Sequence, residues 1–482
     1  MAEVARQAFL RAGFGLLAGA ALGACAPATS QPGPAPAPTG PNWQGLADSI
    51  DGHLTLPTDA SFASAKNVFN SRFDTSAPVS VVAAASTGDV AKAMTFAADN
   101  GIKVAPRGGG HSYVGASAAD NTLVLDLRRL PGGVDYDAAT ELVTIAAGVD
   151  LAAVHTALDA HGRSMATGSC PSVGVAGLTL GGGLGGDARR HGLSCDALAA
   201  AVVALPGGEI VTAAPDSEPD LYWALRGGGG SNCGVVTALR MRTFPAVARD
   251  VVTLTFPESV AVQMISGWHD WLTTAGRSTW GMVNLTAGPD SGLRATVVLA
   301  TPAGAGQVAA AGVSDAVGAA PASRTLRTFG HLDLVRYFAG GADATRPRSF
   351  VAGSDILDVL TPAAAQSLVA AMSAWPAALG AATAVVESLD GAVADPGPVD
   401  TAFPWRRQAA CVQWYTEAPD VVGATRWLDR AHSAVRSNSV GAYVNYVERG
   451  VAPARYFGAN LDRLTAVRRR YDPAGLMFDA VG

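Results

Sequence analysis

Hydrophobic positions in the first half of the chain fall into short runs separated by stretches of helical period. Residues 90–100 repeat apolar positions at helical spacing, with Asp89 as the expected cap and Gly101 as the stop. Ile102-Lys103-Val104-Ala105 reads as a short strand, and Pro106 to Gly110 as a tight glycine-rich turn. Residues 122–127 and 142–146 give two more strands. Asp150 is placed to cap a helix that runs to Ala160 and ends at Gly162. This alternation predicts an α+β or α/β domain reaching about Pro245. From Asp250 the pattern changes. Residues 251–256, 293–300 and 409–414 read as strands and 263–275 as a helix, which predicts an antiparallel sheet with helices. The C-terminal segment has a strand near Tyr443 and a helix over 461–471.

The first 25 residues stand apart. Arg6 and Arg11 accompany a short apolar run over 12–23, too short to span a bilayer and shaped like a signal peptide. Leu22-Gly23-Ala24-Cys25 resembles a bacterial lipobox, which makes Cys25 a candidate lipid acceptor. Residues 5–11 resemble a twin-arginine export signal, with Gln7 where the second arginine belongs. A proline-rich linker follows. The expectation is export to an extracytoplasmic location, with a lipid on Cys25 as the only membrane attachment.

Composition narrows the picture further. A chain of 482 residues with 49% hydrophobic content can build two cored domains. A formal net charge of −6 without a long basic run argues against nucleic acid as a partner. Beyond Cys25 and Cys170, the cysteines are Cys195, Cys233 and Cys411, an odd number at irregular spacing, so neither a disulfide framework nor a zinc site is expected. His155 and His161 are six apart on an expected helix and face different ways, so no metal site is expected there either.

Glycine concentrates in three segments: Pro106-Arg107-Gly108-Gly109-Gly110-His111-Ser112-Tyr113, Gly181 to Gly186, and Arg226-Gly227-Gly228-Gly229-Gly230-Ser231-Asn232. Glycine lets a backbone approach a ligand closely and present N–H groups to phosphate oxygens. One such loop is usually a turn; three in one domain point to a phosphate-bearing cofactor. Gly181-Gly182-Gly183-Leu184-Gly185-Gly186 satisfies G-x-G-x-x-G, which on a Rossmann fold would hold NAD or non-covalent FAD. That motif belongs after the first strand of a βαβ unit. Here it sits mid-domain with Glu209 as the sole candidate acid downstream, so a nicotinamide enzyme is the weaker reading.

Together these segments resemble the PCMH-type FAD-binding domain of the vanillyl-alcohol-oxidase superfamily, and more narrowly the berberine-bridge-enzyme-like oxidases. Pro106 to Tyr113 resembles the family's P-x-G-G-H-S motif. Gly168-Ser169-Cys170-Pro171-Ser172-Val173-Gly174 resembles its cysteine segment, and Asp220 to Gly230 its D-L-[FY]-W-A-[IL]-R-G-G-G. Tyr443-Val444-Asn445-Tyr446, Tyr456 to Asn460 and Tyr471-Asp472-Pro473 match its tail. Leu178, Cys233 and Trp405 depart from the pattern; Trp405 stands where a histidine is common, nearer the substrate side. The resemblance implies an α+β fold: a two-part FAD-binding domain over 46–247, after a leader over 1–25 and a linker over 26–45. A substrate domain over 248–430, an antiparallel sheet covered by helices, and a segment over 431–482 returning to the FAD domain complete it.

The same resemblance implies FAD bonded through its 8α methyl to His111 and through C6 to Cys170. It places Arg107, Gly108, Gly109, Gly110, Ser112, Gly168, Val173, Gly174, Gly177, Gly182, Gly183, Gly230, Val235 and Asn445 around the cofactor. The donor must lose a hydride and a proton, and the proton needs a base within reach. Tyr446 and Tyr443 are the candidates, three apart on an expected strand and so facing opposite ways, with Tyr446 favoured and its pKa expected to be lowered by neighbours. Gln413, on a strand roofing the pocket, would bind substrate or lower a tyrosine pKa. Val173 is small where larger residues accompany poor reaction with oxygen. The implied activity is oxidation of a small-molecule alcohol, lactol or similar C–H donor, with O₂ reduced to H₂O₂. A flavin dehydrogenase using another acceptor and a non-catalytic flavin-binding protein are the alternatives.

Overall fold

The computed structural model describes residues 40–230, 233–289, 292–340 and 342–481; the leader, Cys25 and most of the linker lie outside the described residues. From Trp43 onward, three main sheets organise the chain. In the first, Ser80–Ala83, Thr122–Asp126 and Lys103–Arg107 run parallel, and His53–Thr55 adds an antiparallel outer strand. Helix Thr87–Asp99 makes a crossover. Its cap is Ser86, whose Oγ accepts the Asp89 N–H at 3.0 Å, and not Asp89 as expected. Asp89 is buried in the first turn and accepts N–H groups from Asp51, Gly52 and Ala85. Against the cost of burial, these donors and Ser86 hold its pKa below the ordinary carboxylate range. A residue with the look of a cap is instead the tie between the helix and the outer strand. Asp150 does cap its helix, Leu151–Asp159, accepting the Ala153 N–H at 2.8 Å.

The second sheet is antiparallel, in the order Val134–Asp137, Leu142–Ala146, Val235–Arg242, Leu198–Ala204, Ile210–Ala213. One core serves both sheets and includes Val104, Leu123, Leu125, Ile145 and Met241. Helix Leu461–Tyr471 adds Leu464 and Val467 to that core. The chain then pairs with the first sheet: the Val104 N–H donates to Leu476 O at 2.9 Å, and the Phe478 N–H to Val104 O at 2.8 Å.

The third sheet has eight antiparallel strands, ordered Ser323–Phe329, Arg249–Phe256, Gly292–Pro302, Trp280–Gly288, Ala382–Ser388, Ala410–Thr416, Val351–Leu357, Ser439–Gly441. Helices Ala261–Thr274, Gly306–Val317, Pro362–Ser373 and Val421–Val435 cover one face and bury Trp268, Trp414 and Trp427 against Val283, Leu285, Val386 and Val412. Side chains alternate along a strand. The register therefore puts Asn284, Val385, Glu387, Cys411 and Gln413 on the opposite face. That face meets the glycine-rich side of the molecule, where Cys411 and Ile356 pack with Leu184, Tyr443 and Tyr446.

Ion pairs stitch the third sheet and its loops to the first two. Arg406, with no exposure, makes two 2.8 Å bonds to Asp196. Arg189 pairs with Asp390 at 2.6 Å and Arg249 with Asp187 at 3.0 Å. Trp405, beside Arg406, is buried against Gly441 and Gly458 and donates its indole N–H to Ala442 O at 2.9 Å. Its side chain is packing, and not a wall of the substrate face.

Candidate active site

The first parallel sheet ends where strand Lys103–Arg107 runs into the glycine turn. Gly110 adopts φ +71°, a conformation that costs glycine nothing. Gly109 and Gly174 bring two loops into backbone contact: a Cβ built on either would lie 2.1 Å from the other's amide nitrogen. The contact brings His111 and Cys170 to one place. His111 Nε2 is 3.1 Å from Ser172 Oγ, and Cys170 Sγ is 3.9 Å from the same oxygen. The imidazole stacks on Phe69, with centroids 3.9 Å apart and planes at 20°. Burial pushes the His111 pKa down to about 4, so the ring is neutral at pH 7 and keeps a lone pair. Burial pushes the Cys170 thiol up.

This region fits a large anionic cofactor. None of the backbone N–H groups from Gly108 to Val114 donates a hydrogen bond among the described residues. Such a run of amides without protein acceptors can serve as a nest for phosphate or carbonyl oxygens. Gly177 and Gly230 have open space where a Cβ would stand. Other expected contacts have different employment. Arg107 is 1% exposed, paired with Asp126 at 2.9 Å and bonded to carbonyls of Ala65 and Asn67. Its guanidinium braces the turn against Asp126 and the carbonyls of residues 65 and 67. Val235 is a core residue at 1% exposure. Asn445 Nδ2 bridges Leu178 O at 2.9 Å and the Tyr443 hydroxyl at 2.8 Å. Gly182 and Gly183 sit at φ +135° and +87°, where Tyr443 and Ser194 come close. The G-x-G-x-x-G run follows helix Val175–Gly181 and no strand, which removes the Rossmann reading. Ser112 Oγ accepts the Ala116 N–H, Gly168 packs on Leu178, and the Val173 N–H closes a turn on Cys170 O.

The opposite wall is aromatic and amphipathic. Tyr113 stacks on Tyr446 at 5.2 Å and 15°, and meets Phe350 edge-on at 5.1 Å. The Gln413 amide donates to the Tyr113 hydroxyl, so Gln413 addresses this tyrosine and neither of the two expected ones. Tyr443 and Tyr446 do not lie on a strand facing opposite ways. The strand Ser439–Gly441 ends earlier, and Val444–Tyr446 forms a 3₁₀ turn. Three residues complete such a turn, so the two rings meet edge-to-face at 5.0 Å. The Tyr443 hydroxyl accepts the Gly183 N–H at 2.7 Å and the Asn445 amide, which makes it an anchor. The Tyr446 hydroxyl has no hydrogen bond among the described residues. Burial raises both phenol pKa values, against the lowering that was expected.

Two residues of the wall were not among the expected ones. Tyr113 follows His111 by two positions, and that spacing was the available signal. Glu387 is the lone charge in the strand Ala382–Ser388; it pairs in register with Cys411 and Met282 and has no hydrogen bond or ion pair among the described residues. Burial pushes its carboxyl up to about 7, and its charge is felt by Tyr446.

Residues 78–214 match the family described as FAD binding domain, and residues 442–477 match the family described as berberine and berberine like. The chain carries an FAD-binding domain and a berberine-like C-terminal segment, the two parts found in berberine-bridge-enzyme-like FAD-linked oxidoreductases. An uncharacterised FAD-linked oxidoreductase of Bacillus subtilis is 27% identical to this flavoenzyme over 80% of the chain and 86% of the relative. A chitooligosaccharide oxidase of Gibberella zeae is 28% identical over 83% and 86%. In three dimensions the fold is similar to that of the glucooligosaccharide oxidase from Acremonium strictum, a protein with a 6-S-cysteinyl, 8α-N1-histidyl FAD, at TM-score 0.82, 23% identity, and 91% and 98% coverage.

Proposed function

We propose that this flavoenzyme is an oxidase whose FAD is attached to both His111 and Cys170, and that it oxidises a hydroxyl-bearing carbon such as the lactol of a sugar. The observation that carries the reading is the convergence of His111 and Cys170, 59 positions apart in sequence, on Ser172. The neutral His111 nitrogen and the nearby thiol are both nucleophiles by type. FAD, when bound, supplies the hydride acceptor and the route for electrons to O₂, which leaves as H₂O₂.

The chain's own residues do the rest. Tyr113, Tyr446 and Phe350 give an aromatic wall against which a ring-shaped donor can lie. The Gln413 amide fixes the Tyr113 hydroxyl. The Tyr446 hydroxyl, which has no hydrogen bond among the described residues, gives its own proton to the Glu387 carboxylate as it takes the donor's hydroxyl proton. A carboxylate with no ion-pair partner among the described residues disfavours an acidic donor. Val173 is small beside Cys170 and leaves O₂ room, which supports oxidase behaviour over dehydrogenase behaviour.

The test is the mass of the acid-denatured protein, followed by oxygen uptake with cellobiose and chitobiose. We expect the mass of one added FAD, with His111 and Cys170 peptides cross-linked, and H₂O₂ equal to the O₂ consumed. An unmodified mass would end the bicovalent reading. Flavin bleached by sugar but not reoxidised by O₂ would make the protein a dehydrogenase.

A further inference from the structure

On the helix-covered face of the third sheet, behind the substrate wall, His432 lies between two carboxylates. Its Nδ1 is 2.7 Å from Asp355 Oδ2 and its Nε2 is 2.9 Å from Glu448 Oε2. Both ring nitrogens face acceptors, and only an imidazolium donates from both. Each carboxylate is in turn tied to the catalytic wall. Asp355 has no exposure and accepts the Trp414 indole N–H at 2.8 Å; Trp414 is the neighbour of Gln413. Glu448 lies two positions after Tyr446 and accepts the Ser354 N–H at 3.2 Å, while Ser354 Oγ accepts the Tyr443 N–H at 2.9 Å. Gly353 leaves room for this carboxylate: a Cβ there would lie 2.2 Å from the Glu448 carboxyl carbon, which would have to shift.

The groups facing the imidazole come from every element packed around it. Asp355 comes from strand Val351–Leu357 and Glu448 from the loop after the 3₁₀ turn. Arg455 and Ser439 bond to Asp355 from its other side. Asp429 lies on the histidine's own helix, Val421–Val435, and Arg436 is that helix's C-cap. A solvent-open cleft of about 360 Å³, lined by Asp429, His432, Ser433, Arg436, Ser439 and Arg455, gives the ring access to protons.

We propose that His432 is a positioning residue: as an imidazolium it holds the Tyr443–Tyr446 turn against the Gln413 strand, and it releases the turn when its proton leaves. Once neutral, the ring keeps one donor for two carboxylates. Asp355 retains Arg455, Ser439 and Trp414, so Glu448 is the partner let go, and Glu448 is joined to the turn. Burial works against the charged ring, but the hydrogen bonds to Asp355 and Glu448 outweigh it and push its pKa up to about 9. The sign follows: the clamp is complete below about 6.5, the ordinary histidine value, and is lost as pH rises through about 9. The consequence for turnover rests on the function proposed above; the clamp itself does not.

Hydrogen exchange on the flavin-loaded protein tests the clamp without any substrate. After correction for intrinsic rates, protection of amides 442–449 should fall roughly tenfold between pH 7.5 and 10, while the helix Leu461–Tyr471 keeps its own. Glu448→Gln should abolish this pH dependence. The amide can donate to a neutral Nε2 while Nδ1–H keeps Asp355, so both bonds survive without charge. His432→Ala should show low protection at both pH values. Unchanged wild-type protection at pH 10 would overturn the proposal, as would a Glu448→Gln protein that still loosens at pH 10. Should His432→Ala fail to fold, the Glu448→Gln comparison decides alone. Anaerobic reduction by cellobiose adds a second readout: His432→Ala should slow the rate constant roughly tenfold with an apparent Kd changed by less than about twofold. If cellobiose does not bleach the wild-type flavin, the sugar reading fails and the exchange result still judges the clamp.

Discussion

His111 and His432 are both partly buried, and their surroundings send them opposite ways. His111 sits among glycine backbone, the ring of Phe69 and the Ser172 hydroxyl, and burial drives its pKa down to about 4. His432 sits between Asp355 and Glu448, which outweigh burial and drive it up to about 9. The first site keeps a lone pair and so can form a bond. The second keeps a charge and so can hold two segments together. Burial sets the cost of charge in both; the acceptors within hydrogen-bond reach decide the outcome.

The sharpest way to break the cradle side of this comparison is through backbone, where no titration is involved. Gly174→Val should force the two loops apart at a local cost of more than about 3 kcal/mol, because its Cβ would lie 2.1 Å from the Gly109 nitrogen. The purified variant should be colourless, with far-ultraviolet circular dichroism retained. A yellow variant with normal flavin content would show that the contact does not set the cradle.

A smaller effect separates the proton-handling pair on the wall. Tyr446→Phe should slow flavin reduction by ~10²-fold at every pH. In the wild type, reduction should weaken as pH falls through about 7, because Glu387 must be ionised to accept a proton. Glu387→Gln should lower the plateau and remove that limb. A limb that persists in Glu387→Gln would assign it to another group. The smallest effect is expected from Ser172→Ala, which takes one hydrogen bond worth about 1 kcal/mol from His111. Covalent FAD incorporation, followed by mass, should slow about fivefold and still reach completion.

How much of this was legible in the sequence depended on whether backbone or side chains form each part. The cradle is a backbone object, and glycine is the one residue whose conformational role can be read from its letter. Pro106 to Tyr113 and the Cys170 segment therefore announced themselves. The wall is a side-chain object on a sheet whose strands 280–288, 323–329, 351–357 and 382–388 were not picked out in advance. Without those strands, alternation could not place Glu387 on the pocket face. Asp89 misled because a cap and an N-terminal tie use the same residue type, and only the position of Ser86 three residues earlier decides between them. Arg107 lies inside a cofactor motif yet serves Asp126, since a motif constrains the turn as well as its ligand. Tyr443 and Tyr446 misled because a strand and a 3₁₀ turn give opposite answers for positions three apart. The clamp at His432 had no motif, because its members at 355, 432, 448 and 455 meet only through the fold.

The pairing of residues 476–478 with Val104 has a consequence for the timing of biosynthesis. The strand that leads into the His111 turn emerges from the ribosome long before residues 476–478, which fill its outer hydrogen-bonding edge. Contacts of such sequence separation form late and slowly. The nascent sheet therefore waits with an open edge until those residues are made, and a chain stalled before residue 476 would expose that edge to chaperones or to another strand.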